Sequence, residues 1–234
     1  MKIIVSKNIL DKFPETIIGV IIVKGLNNEK HNEEITKLLR EVEEKTRNEN
    51  ANLESTSSHP NIISWRQAYK EFGADPHAYR CSSEALLKRV VKRQELWQIN
   101  KLVDLYNYIS LKYMTPVGGE DLDKVQGDIY LDFAKGDEQF IRLGGEENEP
   151  PLSGEVVYKD DVGVMCRRWN WREADRTKLS EETKNSILVI EGLSPMTLEK
   201  VEEATKELEE LVKKFCGGQT AYKILHKEDA ELSF

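Results

Sequence analysis

The order of segments in this chain predicts an α+β protein. Strands and helices mix near the start without the regular alternation of a doubly wound sheet. Residues 129–190 then read as a run of strands, followed by one long helix and a last strand. No internal repeat or low-complexity segment interrupts this order.

The first 25 or so residues read as strand, turn and strand around Phe13-Pro14, the second strand being the apolar run 17–23. Gly25-Leu26-Asn27-Asn28 closes it. Ile35, Leu38, Leu39 and Val42 then recur at helical spacing and predict a helix over 29–48. Residues 52–61 are polar and Ser-rich and end in His59-Pro60, a loop or a boundary between lobes. The expected organisation is an N-terminal strand–helix lobe, 1–60, packed on a main domain, 61–234, or one domain spanning 1–234.

A short helix begins at Trp65 and stops near Phe72-Gly73. Ser82 or Ser83 can cap the next helix, whose apolar face is Leu86, Leu87, Val90 and Val91. Another helix covers 99–113, with Ile99, Leu102, Tyr106, Ile109 and Tyr113 as its stripe. Residues 115–119 read as a loop. Strands are expected at 129–133, 139–143, 155–158, 162–167 and 186–190. Ser194 as cap and Pro195 at the first helical position open the last helix, buried along Val201, Leu208, Leu211, Val212 and Phe215. Gly217-Gly218 ends it, and residues 221–225 return as a strand to the N-terminal sheet.

The composition, 39% hydrophobic and 32% charged, is that of a soluble protein. No run approaches the ~20 apolar residues of a membrane span, and the first residues lack a secretory pattern, so a cytoplasmic location is expected. Three widely spaced cysteines without Cys-x-x-Cys give neither a disulfide framework nor a zinc site, and the four histidines form no His-Glu-x-x-His. Neither metal nor cofactor is expected. The net charge of −8 disfavours membrane surfaces and sequence-blind nucleic-acid binding, so no membrane or DNA partner is expected, while a local basic patch remains compatible with it. A monomer is favoured.

Phosphate-binding, dinucleotide-binding and nucleophile-elbow motifs are missing. The remaining constellations each have two readings. Asp104, Asn107 and Ser110 share one side of a helix and either hold a substrate amine or carbonyl in a cleft or make ordinary surface and capping contacts. Asp121 and Asp123 either bind a cation or cap a turn. Arg66 and Arg80 either grip a carboxylate or phosphate, or make structural ion pairs. Lys88, Arg89, Lys92 and Arg93 on one helix, and Arg167, Arg168, Arg172 and Arg176 interleaved with Trp169 and Trp171, either track RNA or are solvated faces with core tryptophans. His59 and His77 read as loop residues, and Cys81 and Cys166 as buried packing thiols.

Val103-Asp104-Leu105-Tyr106-Asn107-Tyr108-Ile109-Ser110-Leu111 resembles the Val-Asp-hydrophobic-x-Asn-Tyr-hydrophobic segment of the B3/B4 domain of phenylalanyl-tRNA synthetase β subunits. Pro116, Gly118-Gly119, Asp121-Leu122-Asp123-Lys124-Val125, Gly136-Asp137-Glu138 and Glu182-Thr183-Lys184-Asn185 follow in the family's order, and Arg80 to Leu87 resembles its free-standing branch. The resemblance covers roughly residues 65–190. It implies a B3/B4-like α+β fold with strands in a sandwich and helices around it. It also implies a link to aminoacyl-tRNA, by editing a mischarged tRNA in trans or by recognition alone. In the family this chemistry rests on positioned water and substrate more than on a side-chain base.

On that resemblance Asn107 and Ser110 orient substrate or water, and Asp175, counted back from Asn185, reads the side chain or amino group with Thr177 in support. Arg66 and Arg80 are further substrate-binding candidates, and Lys88, Arg89, Lys92 and Arg93 contact tRNA. The chain departs from the family in two places: the loop at 116–120 has no histidine, and an aspartate stands where the family carries Gly-Gly-Glu. The alternatives are a non-catalytic tRNA- or protein-binding module, and a binder of, or enzyme for, a free amino acid or small metabolite.

Overall fold

The apolar run near the N-terminus forms β2 (Ile17–Lys24), whose side chains are buried on both faces. Ile18, Val20 and Ile22 point into one core and Ile21 and Val23 into another, as the two-residue period of a strand requires when both sides are covered. β2 runs antiparallel between β8 (Asn185–Gly192) and β9 (Gln219–Leu225), and β3 (Val117–Asp121) lies on the far edge of β8. The order of this sheet is β3-β8-β2-β9.

The second sheet has the order β10-β1-β4-β5-β6-β7. Its members are β1 (Lys2–Val5), β4 (Ile129–Phe133), β5 (Val156–Lys159), β6 (Val164–Arg167), β7 (Arg172–Glu173) and β10 (Glu231–Ser233). β1 is parallel to β4 and antiparallel to β10. The two sheets face each other across a core that includes Ile3, Val5, Leu131, Met165, Trp169 and Ile187. The computed structural model describes residues 1–29 and 31–234.

Six α-helices surround the sandwich among the described residues: α1 (Lys7–Lys12), α2 (Glu33–Glu49), α3 (Pro60–Glu71), α4 (Ser82–Val91), α5 (Lys101–Tyr113) and α6 (Leu198–Phe215). α6 lies on the outer face of the four-stranded sheet with Val201, Ala204, Leu208 and Val212 inward. It comes so close that a Cβ on Gly19 would run into Thr205 Oγ1, so β2 needs glycine there. α5 packs beside it, with α2 and α4 outside, and α3 brings Trp65, Ala68 and Tyr69 to the rim of the inter-sheet core. None of the helices is long and apolar enough to cross a membrane.

The α+β class and the sandwich agree with the reading of the sequence, while several boundaries move. β1 and β2, from the first 60 residues, are inner strands of the two sheets, each flanked on both sides by strands from beyond residue 60. The turn at Phe13-Pro14 is preceded by α1, capped by Ser6. The short helix starts at Pro60, with His59 as cap, and not at Trp65. α4 follows Cys81, with no side-chain cap from either serine. Residues 117–119, expected in a loop over 115–119, open β3, because an edge strand under the Leu188 side chain tolerates glycines that carry no strand signal. Residues 139–143 form no strand and touch β7's continuation through one bridge, Arg142 to Ala174. α6 is capped by Thr197, which accepts from Lys200 N at 3.3 Å, so Ser194 and Pro195 belong to the preceding turn.

Candidate functional site

Between the sheets, on the side roofed by α4 and α5, the core leaves a cavity of about 230 Å³. Its polar groups converge from several elements: α4 supplies Ser82, α5 Asn107, β3 Glu120, the turn after β6 Asn170, β7 Glu173 and β8 Glu191. Tyr106, Tyr158, Trp169, Trp171, Met165 and Cys166 form much of the wall.

The turn from β6 to β7 aims the tryptophans. Arg168 and Trp169 both have left-handed backbones, φ 47° and 65°, an uncommon conformation for large side chains. It drives Trp169 inward to 0% exposure, against Phe13 and the edge of Trp65, each at 5.1 Å between ring centres. Arg168 is held over Tyr79 at 3.7 Å and Trp171 at 4.6 Å, with Glu155 at 3.3 Å.

Glu191 is 1% exposed. Its Oε1 accepts from the Tyr158 hydroxyl at 2.7 Å and its Oε2 from the Asn170 amide at 2.8 Å, while Asn170 accepts from Tyr69 at 2.9 Å. Burial pushes the Glu191 carboxyl up to about 8, against the opposing pull of those hydrogen bonds. Glu120 is 7% exposed, and among the described residues no N–H or hydroxyl donates to its Oε2. Burial raises its carboxyl well above the usual range, and the facing Glu173 raises it further. Burial also raises Glu173, which the hydrogen bond with Glu120 pulls back down. Two buried carboxyls in contact cannot both ionise cheaply, so the pair favours a shared proton, held more firmly by Glu120 than by Glu173. Glu173 Oε2 and the Thr177 hydroxyl beside Glu120 are likewise buried without a partner. Arg176, the cation whose field reaches Glu120, is spent on Asp160 at 2.8 and 2.9 Å.

Of the residues singled out from sequence, Asn107, Cys166, Trp169 and Trp171 line the cavity and Thr177 backs Glu120. The polar and charged candidates that remain stand elsewhere. Ser110 is buried and donates to Thr115 O at 2.7 Å, closing the turn after α5. Asp175 faces outward, its side chain 37% exposed, and Lys178 at 2.9 Å holds its carboxyl below the usual range, helped by Gly144 N. The acid that reaches the cavity is Glu173, two residues earlier. Arg66 bonds Pro76 O and the buried Glu84 at 2.9 Å, and Arg80 lies 3.7 Å from the same carboxylate, so both brace the link between α3 and α4. Asp104 accepts from Ile99 N at the start of α5. Asp121 accepts from Thr183 and Asp123 from Asn185, each at 2.8 Å, which ties the end of β3 to the start of β8. Arg167 pairs with Glu155 at 2.7 Å and Arg176 with Asp160, so most of the second basic cluster is neutralised internally.

Lys88, Arg89, Lys92 and Arg93 are different. Among the described residues none of the four pairs with a carboxylate. Arg89 lies 3.6 Å over the ring of Trp97, which is 67% exposed. The sequence reading missed Glu120, Glu173, Glu191 and Trp97. Only Glu120 carried a local signal, the pair of glycines before it in Gly118-Gly119-Glu120.

A family model described as the B3/4 domain matches residues 64–217. The phenylalanine–tRNA ligase β subunit of Fusobacterium nucleatum is 29% identical over 120 residues, covering 49% of this chain and 14% of the subunit. That of Aquifex aeolicus is 42% identical over 62 residues, covering 24% of this chain and 8% of the subunit. The chain therefore spans a small part of the length of these relatives. A crystal structure of an N-terminal fragment of the phenylalanyl-tRNA synthetase β subunit from Pyrococcus horikoshii aligns with a TM-score of 0.48 at 15% identity, over 93% of this chain and 49% of the fragment.

Proposed function

The chain belongs to the B3/4 domain family, and from that premise we propose that its inter-sheet cavity receives the aminoacyl group of an aminoacyl-tRNA, which the protein recognises and hydrolyses in trans. The observation that carries this reading is the cavity itself: it lies within the matched segment for most of its lining and combines apolar walls with a few convergent polar groups, the usual make-up of a small-molecule site. Asn107 and the ionised partner of the Glu120–Glu173 pair are suited to orienting a water toward an ester carbonyl, and that carboxylate can take the water's proton as the bond to carbon forms. Positioning supplies most of the acceleration, and the leaving ribose hydroxyl recovers a proton from the same pair or from solvent.

The Lys88, Arg89, Lys92 and Arg93 strip, with Trp97 beside it, is the surface suited to the RNA. Unpaired cations attract phosphates and an open indole face accepts a stacked base. Replacing Lys88, Lys92 and Arg93 together by glutamine is expected to weaken tRNA binding and to reduce the log–log salt slope by ~2, at ~0.7–0.9 per lost phosphate contact. Filter binding at several salt concentrations measures this; an unchanged slope removes the strip from the interface.

The activity is tested by incubating the protein with a panel of correctly and incorrectly charged tRNAs. At least one pair is expected to be deacylated well above buffer, and Glu173→Gln to slow that reaction ~100-fold or more. Salt-dependent tRNA binding without deacylation would reduce the function to recognition. Binding of free amino acids with neither tRNA binding nor deacylation would overturn the tRNA reading.

A further inference from the structure

The charges inside the cavity say more about its occupant than its shape does. Among the described residues three carboxyl-bearing side chains line it, Glu120, Glu173 and Glu191, and no lysine, arginine or histidine does. Of the nearby guanidinium groups, Arg176 pairs with Asp160, while Arg168 pairs with Glu155 through Nη2, lies over Tyr79 and Trp171, and keeps Nη1 buried without a partner among the described residues. Glu120 is more than nine-tenths buried and lines the cavity, and apart from the proton it shares with Glu173, neither its Oε2 nor that of Glu173 receives a hydrogen bond from the described residues. Buried acceptors of this kind are destabilising unless something donates to them.

We infer that the end of the cavity where Glu120 and Glu173 meet is a site for a primary ammonium group, carried by a ligand whose body lies against Tyr158, Trp169 and Trp171. An ammonium group brings three donors and no acceptor, which suits a pair of carboxyls with vacant lone pairs. It also brings the positive charge that the pair lacks, and aromatic faces beside it add attraction. A ligand carboxylate or phosphate directed to the same end would meet like charge in a poorly hydrated space and is excluded. Apart from Arg176, whose field reaches Glu120 from its pairing with Asp160, the ionisable groups facing the pair are the Tyr106 and Tyr158 hydroxyls, the Cys166 thiol and Glu191, none of them a cation.

This deepens the reading of the cavity as an aminoacyl site and rests on it only for the choice of probes. Two sources of the group are compatible with it, the α-amino group of any aminoacyl ester and the side chain of a basic one. Calorimetric titration at pH 7 separates them with three probes. Phenylalaninamide carries only the α-ammonium, Nα-acetyl-lysine-N-methylamide carries only the side-chain ammonium, and 3-phenylpropanamide is the uncharged analogue of the first. At least one of the two cations is expected to bind ten times or more tightly than the uncharged amide, and which one does so names the source.

Glu173→Gln is expected to reduce that binding at least tenfold. Gly118→Ala provides a second variant that leaves both carboxyls in place. Its backbone is not left-handed, and the added methyl would sit 3.3 Å from Glu173 Oε1, so it should also weaken the cation. Equal binding of charged and uncharged probes, binding of neither cation, or full cation binding by both variants would each overturn the ammonium site. Loss of the deacylation result with cation binding intact would overturn the tRNA reading alone.

Discussion

Trp169→Ala is expected to lower the unfolding free energy by about 3–5 kcal/mol, among the largest effects of any single substitution in this chain. The indole has no exposed surface and makes an edge contact with Trp65 and a tilted one with Phe13, both at 5.1 Å. These rings come from β6's following turn, from α3 and from the end of α1, so one side chain joins three elements to the inter-sheet core. It also walls the cavity, so truncation should enlarge that space and loosen whatever it holds. Alanine gains nothing in return, because the left-handed backbone at 169 disfavours any residue with a Cβ. Trp97→Ala is the contrasting case: its ring is mostly in water, and stability should change by less than about 1 kcal/mol. Denaturant midpoints at constant slope measure both. A loss at Trp169 of under ~1 kcal/mol would mean that the core closes over the gap, contrary to the packing described.

The parts of this fold that were legible in the sequence are those where one face meets water. α2 and α6 showed their stripes because charged residues cover the other side, and β4 alternated cleanly. β2 was legible as a strand through its unbroken apolar run, but its central place was not, because burial on both sides erases the alternation that reports which face is which. β3 was hidden by two glycines, and α1, a single short helix, by the proline turn after it. The motif residues fell in the matched segment, yet several of them work on the frame: Thr183 and Asn185 hold Asp121 and Asp123, and Ser110 closes a turn.

The cavity's acids were the least legible. Glu120, Glu173 and Glu191 stand among 42 acidic residues with no period linking them, and only the pairing of β3 with β8 and the fold of β6 and β7 brings them together. Asp175 follows only from a count back from Asn185, ten residues away. A displacement of two residues in that count exchanges a buried carboxyl for a surface one.

Glu191 gives the clearest dependence on pH. Its carboxyl titrates near 8 in the folded protein and near 4.5 when unfolded, so over that interval the native state keeps a proton that the unfolded chain releases. Stability is therefore fully present below about pH 4.5 and falls as pH rises toward 8, by on the order of 4–5 kcal/mol for this group alone, after which the loss levels off. Glu120 and Glu173, both raised, push in the same direction. Glu191→Gln removes one titrating group but keeps a carbonyl acceptor for either Tyr158 or Asn170, losing about 1 kcal/mol from the imperfect second bond. The variant should then be slightly less stable than the natural protein at pH 5 and several kcal/mol more stable at pH 8.5. Unfolding curves at the two pH values decide it, since every acid except Glu173, whose charge acts on Glu191, contributes alike to both proteins. Parallel stability profiles would mean that Glu191 is ionised in the fold at neutral pH, held by Tyr158 and Asn170 more strongly than its burial opposes.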